Sequence, residues 1–137
     1  MNYSRLALAA LGGTVASFAV GFLIMWLVPA LFEEVQKYPA VYRPKEEMMS
    51  VMPFGFLAAA ISIVIVAIIF AMTRQSGAAA GLRLGILIGI FAVCSVLHNY
   101  VNFRLGGKLA VGQAAAYLVQ WIVTGIVIGL IYKPATP

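Results

Sequence analysis

Polar residues are so sparse along this chain that they act as punctuation. Four long apolar runs stand out: Leu6 to Leu31, Pro53 to Met72, Leu84 to Phe103 and Leu109 to Tyr132. Each reaches the ~20 residues that an α-helix needs to cross ~30 Å of hydrocarbon. Lipid offers the backbone no hydrogen-bond partner, so runs of this kind must be helical. The ten-residue alternation of a membrane β-barrel is not the pattern seen here. The pattern predicts an all-α membrane protein: one domain over residues 1–137, a bundle of four transmembrane helices with both termini on the same side.

The connections sharpen this outline. "TRQSG" joins the second and third spans and "RLGGK" the third and fourth, while the long polar loop, residues 32–52, holds all 4 acidic residues, every one a glutamate. Glu33 and Lys37 are spaced to pair on a helix, so the first helix is expected to run about a turn past the membrane. Pro39 should then stop it, with an extended segment to Pro44. Pro53 suits the first turn of the next helix. The first run opens like a signal peptide, with Arg5 ahead of apolar residues and small Thr14, Ala16 and Ser17. It continues to Leu31, too far for a signal core, and is expected to be a retained span.

Small residues recur every fourth position. Gly77, Gly81, Gly85 and Gly89 form one such series, Ala9, Gly13, Ser17 and Gly21 a second, and Gly125 and Gly129 a third; Gly55 and Ala59 repeat it more weakly. This spacing keeps small residues on one helix face and lets another backbone approach closely. The packing partner can lie in this chain, in a second copy or in a larger membrane complex.

Composition supports the outline. Hydrophobic residues make up 64% and charged residues 9%, with no aspartate, and mean hydropathy is +1.03. Too little polar surface is left to face water, so the solvent is lipid. The net charge of +5 would point to nucleic acid in a soluble protein, but here the bases flank apolar runs, where they meet headgroups. Arg83, at the start of the third run, is expected to snorkel to that layer. Tyr3 and Tyr132 suit an interfacial belt, and Trp121 suits packing. Arg5, Arg74, Arg83 and Lys133 fall on the terminus side, against Lys37, Arg43, Lys45, Arg104 and Lys108, so the count of bases does not orient the bundle. The bases of the long loop can pair with its glutamates, whereas the terminus side has no acid. The termini are therefore expected in the cytoplasm.

Chemistry concentrates in "CSVLHNYVNFR", Cys94 to Arg104, which holds the sole histidine. Counting from the middle of the third run puts His98 about 7 Å beyond the midplane. Polar groups so placed should face protein or water. A wedge can be drawn from Glu33 and Glu34 past Asn102, Asn99 and His98 to Gln120 and Thr124, with Gln113 and Tyr117 on the same span as Gln120. It reads either as interhelical hydrogen bonding or as a small-molecule or ion site. His98 could also serve as an axial ligand to a haem or chlorophyll-type pigment, but a bis-histidine site would need a second chain. With 1 Cys and 1 His, one chain can form neither a disulfide nor a zinc site of several Cys or His ligands. Ser95 or Cys94 could touch His98, yet no acid in the span orients the ring.

Three stretches, "GFLIMWLVPALFEE" (Gly21 to Glu34), "YRPKEEMM" (Tyr42 to Met49) and "GLRLGILIGIF" (Gly81 to Phe91), resemble a loose family of uncharacterised bacterial four-span membrane proteins. The resemblance implies a bacterial inner membrane and carries no activity; the His-Asn cluster departs from it. The expectation is a non-enzymatic accessory or assembly subunit. It would pack through glycine faces into a homo-oligomer or larger membrane complex, with no cofactor. The alternative is a small transporter or ligand-binding protein using the wedge.

Overall fold

The computed structural model describes residues 1–135 and is helical throughout its ordered elements. They are α1 (Tyr3–Leu27), α2 (Pro29–Gln36), α3 (Lys45–Met72), α4 (Ala78–Asn102) and α5 (Gly107–Ile131). Four of these, all except α2, are long and apolar enough to cross a membrane. The protein is a four-helix membrane bundle. Met1, Arg74, Tyr132 and Ala135 border one hollow, so both ends of the described chain lie at the same end of the bundle.

α5 holds the arrangement together. It packs along α4, along α1 and against α2, and brushes α3, whereas α3 leans mainly on α1. The core sits where α1, α3 and α5 converge, around Ala9, Ile63, Phe70, Ile128 and Tyr132. Tyr132, expected at the interface, follows the last residue of α5 and is 1% exposed, its ring edge-on to Phe70 with centroids 6.0 Å apart. Trp121 packs against this core as expected.

The glycine series account for the closest approaches. A β-carbon on Gly85 would stand 2.5 Å from the Trp121 carbonyl oxygen and 2.8 Å from the Ile122 Cα. One on Gly81 would collide with the Gly125 carbonyl, and one on Gly129 would lie 2.8 Å from the Gly81 Cα. Backbones this close leave no room for side chains, so α4 and α5 touch main chain to main chain. Gly77 begins the contact: its N–H donates to the Gly129 carbonyl at 2.7 Å. Its φ of +94° is open to glycine and strained for other residues. Gly13 faces Ile128 and Ile63, and Gly21 faces Gln120. These three series thus meet partners within the chain, whereas Gly55 on α3 has nothing within 4 Å.

Three boundaries differ from the sequence expectation. The first run is not one helix: it breaks at Val28, whose φ of −127° and ψ of 63° lie outside the helical region, and α2 restarts with Pro29 at its first position. Proline removes an N–H and clashes with the preceding turn, so Pro29, not Pro39, ends the first helix. The long loop is mostly helical, since α3 already begins at Lys45 with Glu46 and Glu47 in its first turn. Acids there complement the helix dipole. The true connection, 37–44, is a compact turn in which the Val41 and Tyr42 N–H groups both donate to the Tyr38 carbonyl, not an extended segment. Pro53 therefore lies inside α3.

The helix register and the flanking bases together give the expected place of the hydrocarbon. Gly13 is level with Ile63 and Ile128, and Gly81 with Gly125. Arg5, Arg74 and Lys133 mark the terminus end. Measuring about 20 residues from just inside those bases gives a slab over roughly 6–26 of α1, 52–72 of α3, 112–132 of α5 and up to about 96 of α4. Trp26, 77% exposed, then marks the far interface, and the α1–α2 break falls there. Pro53 also sits at that edge, where water can meet the carbonyl it orphans. On this count His98 falls about two residues beyond the far edge of the slab. Arg83 lies about 10 Å inside the near boundary on the same count; at the centre of a span an arginine costs about 2.5–3.5 kcal/mol on insertion scales.

Candidate functional site

The polar residues singled out by the sequence fall into three separate groups rather than one wedge. The first lies between α1 and α5, inside the hydrocarbon. The Gln120 side-chain amide donates to the Ser17 hydroxyl at 2.9 Å and to the Ser17 carbonyl at 3.0 Å. The Thr124 hydroxyl donates to the Gln120 carbonyl at 2.7 Å. Ser17 and Thr124 are buried and Gln120 half-buried. The groups satisfy one another: among the described residues no buried side-chain nitrogen or oxygen lacks a partner. Ser17, a small residue in the packing series, is thus also the acceptor that holds Gln120.

The second group caps the far end. Glu34 on α2 pairs with Lys37 at 2.6 Å. The Tyr38 hydroxyl donates to Glu34 at 3.5 Å and accepts from the Gly106 N–H at 2.9 Å. That N–H belongs to the turn before α5, so the 37–44 connection is tied to the α4–α5 hairpin. A second tie lies close by, where the Gln113 side-chain amide donates to the Tyr42 hydroxyl at 3.1 Å. The hydrogen bond and charge of Lys37 hold the Glu34 carboxyl below its ordinary value, against the opposing effect of burial. Glu34 in turn raises Lys37. Glu33, one position earlier, is exposed. Tyr38 and Tyr42 were not among the sequence candidates. Their signal was a pair of amphipathic tyrosines flanking Pro39 in an otherwise charged segment.

His98, Asn99 and Asn102 form the third group, and all are exposed on the last turns of α4. Asn102 Nδ2 donates to the His98 carbonyl at 2.8 Å and lies 3.0 Å from His98 Nε2. A metal or haem iron at Nε2 would have to displace Asn102. Among the described residues no three His, Cys, Asp or Glu side chains gather as a metal cluster. Cys94 is a free, exposed thiol one turn before His98.

Between the first two groups lies a cleft of about 240 Å³, opened by the α1–α2 break. Gly21, Ile24, Leu31 and Val35 line it on one side, Gln113, Tyr117 and Gln120 on the other. Its walls are largely apolar, with amide and phenol groups along α5. That chemistry suits an acyl or isoprenoid chain with a polar end.

Compared with known proteins, the chain matches no family model, no curated protein and no solved structure.

Proposed function

We propose that this integral membrane protein acts by association with another membrane protein, as an accessory or assembly subunit, and not by catalysis. The observation that supports this reading is the two-sidedness of α4. Its glycine face is spent on α5, so α4 is attached to the bundle along one face only. Its opposite side presents Leu87, Cys94, His98 and Val101 outward. A helix fixed so firmly on one side and open on the other is suited to carry a partner. The glycine series, being occupied within the chain, are a scaffold in this reading rather than the docking surface.

The test is native mass spectrometry of protein gently extracted from its own membranes. A stoichiometric complex with another membrane protein is the expected result. A bare chain carrying a small bound mass would overturn it and favour a second reading, supported by the cleft beside Gln113 and Tyr117: a binding protein for an apolar-chained ligand. In that case Gly21→Leu, which fills the cleft, should abolish the bound mass.

A further inference from the structure

We propose that the outer face of α4 receives a transmembrane helix of a different protein, and that this helix bears a carboxylate level with Arg83. The proposal deepens the association reading and rests on it. Arg83 is exposed. Both ion pairs among the described residues, Lys37 with Glu34 and Arg43 with Glu47, lie at the far end, and neither involves Arg83. Its α-carbon lies two residues from both Gly81 and Gly85, about 160° around the helix from each. Gly81 and Gly85 are buried against α5, so Arg83 points away from the bundle.

Depth makes this position unusual. Gly81 packs between Gly125 and Gly129, and Gly85 between Trp121 and Gly125, so Arg83 is close to the level of Gly125, about 10 Å from the near boundary. Snorkelling towards the near boundary closes part of that distance. A charge held there needs a counter-charge or a water-filled cavity. The glutamates of this chain, Glu33, Glu34, Glu46 and Glu47, all lie at the opposite end. A second copy docked in parallel through this face would set Arg83 against Arg83. The same face carries exposed Leu87, Ile90 and Val101, an apolar ridge against which a helix can lie. The occupant that fits is a helix from another protein, apolar along its length and acidic at one position.

The probe is a synthetic leucine-rich transmembrane peptide with one Glu level with Arg83, compared with Gln and Leu versions. The protein, as Cys94→Ser with Ala135→Cys carrying a fluorophore, is placed in phosphatidylcholine vesicles and association is read by energy transfer. The Glu peptide should bind roughly tenfold more tightly than the Leu peptide. Arg83→Leu should erase that preference, and Arg83→Lys should keep part of it. Equal binding of the three peptides overturns the proposal, as does a Glu preference that persists in Arg83→Leu. Equal binding with a thermal midpoint that depends on phospholipid phosphate only when Arg83 is present overturns it in favour of a lipid headgroup. Native mass spectrometry of wild type and Arg83→Gln separates the two levels of the argument. A complex unchanged by the substitution, with no Glu preference, sinks the Arg83 proposal alone. No complex in either protein sinks the association reading as well.

Discussion

The cost of a single β-carbon differs sharply along this chain. At Gly81 it would meet the Gly125 carbonyl, an oxygen locked in helix backbone that cannot step aside. Gly81→Ala should therefore push α4 and α5 apart and destabilise the protein by about 1–3 kcal/mol, read as a lowered thermal midpoint in detergent. At Gly55 a β-carbon meets nothing within 4 Å. Gly55→Ala should be neutral or stabilising by up to about 1 kcal/mol, so the two alanines separate packing from helix propensity. Gln120→Leu should cost about 0.6 kcal/mol, the usual size of an interhelical hydrogen bond in lipid, with the thermal midpoint again the measure. Residue identity announced the glycine contacts, because fourfold spacing has one physical use. It did not announce Gln120 with Ser17, since any of several polar residues on α5 could have faced α1 until the helix register was known.

Among the elements, α2 depends most on chemistry outside the membrane. Its attachment rests on the Tyr38 hydroxyl, which the Gly106 N–H and Glu34 share. Tyr38→Phe should leave the four spans intact and speed hydrogen exchange at the Gly106 amide. Glu34, held low by Lys37, gives this attachment a pH limit. A carboxyl with a lowered folded value stabilises the folded form above its ordinary value and loses that contribution as pH falls through the lowered one. Lys37, being raised, keeps its share up to the ordinary lysine range and loses it as pH rises through the raised value. The cap is therefore expected to loosen in acid below the ordinary carboxylate range. Tyr38 ring resonances should report this, and Glu34→Gln should remove the dependence. The sequence marked Pro39 as the stop and passed over Pro29, because hydrophobicity ran unbroken through it to Leu31. An apolar run measures what lipid will accept, and a backbone break at the interface leaves that measure unchanged.

Across the whole molecule, span number and type were legible because a chain with 9% charged residues leaves few arrangements in lipid. Depth was not legible. His98 was read at the membrane's shoulder and Arg83 as snorkelling to the headgroups, since each was located from the apolar run of its own span. Counted instead from the bases that flank the bundle, His98 falls at the far edge and Arg83 deeper. Topology offers a direct check in a Cys94→Ser background. Cysteines introduced at Asn2 and Ala135 should react with a membrane-impermeant thiol reagent from one side, and one at Glu46 from the other. Any other grouping contradicts the bundle. One consequence concerns time rather than space. α5 is the fourth span to leave the ribosome, yet α1, α2 and α4 all rest on it. The earlier spans must wait in the bilayer as loosely associated segments, and the bundle closes only when its central post arrives. A ribosome stalled before Gly107 would leave helices inserted but unassembled, with the glycine face of α4 bare to whatever quality-control protease patrols that membrane.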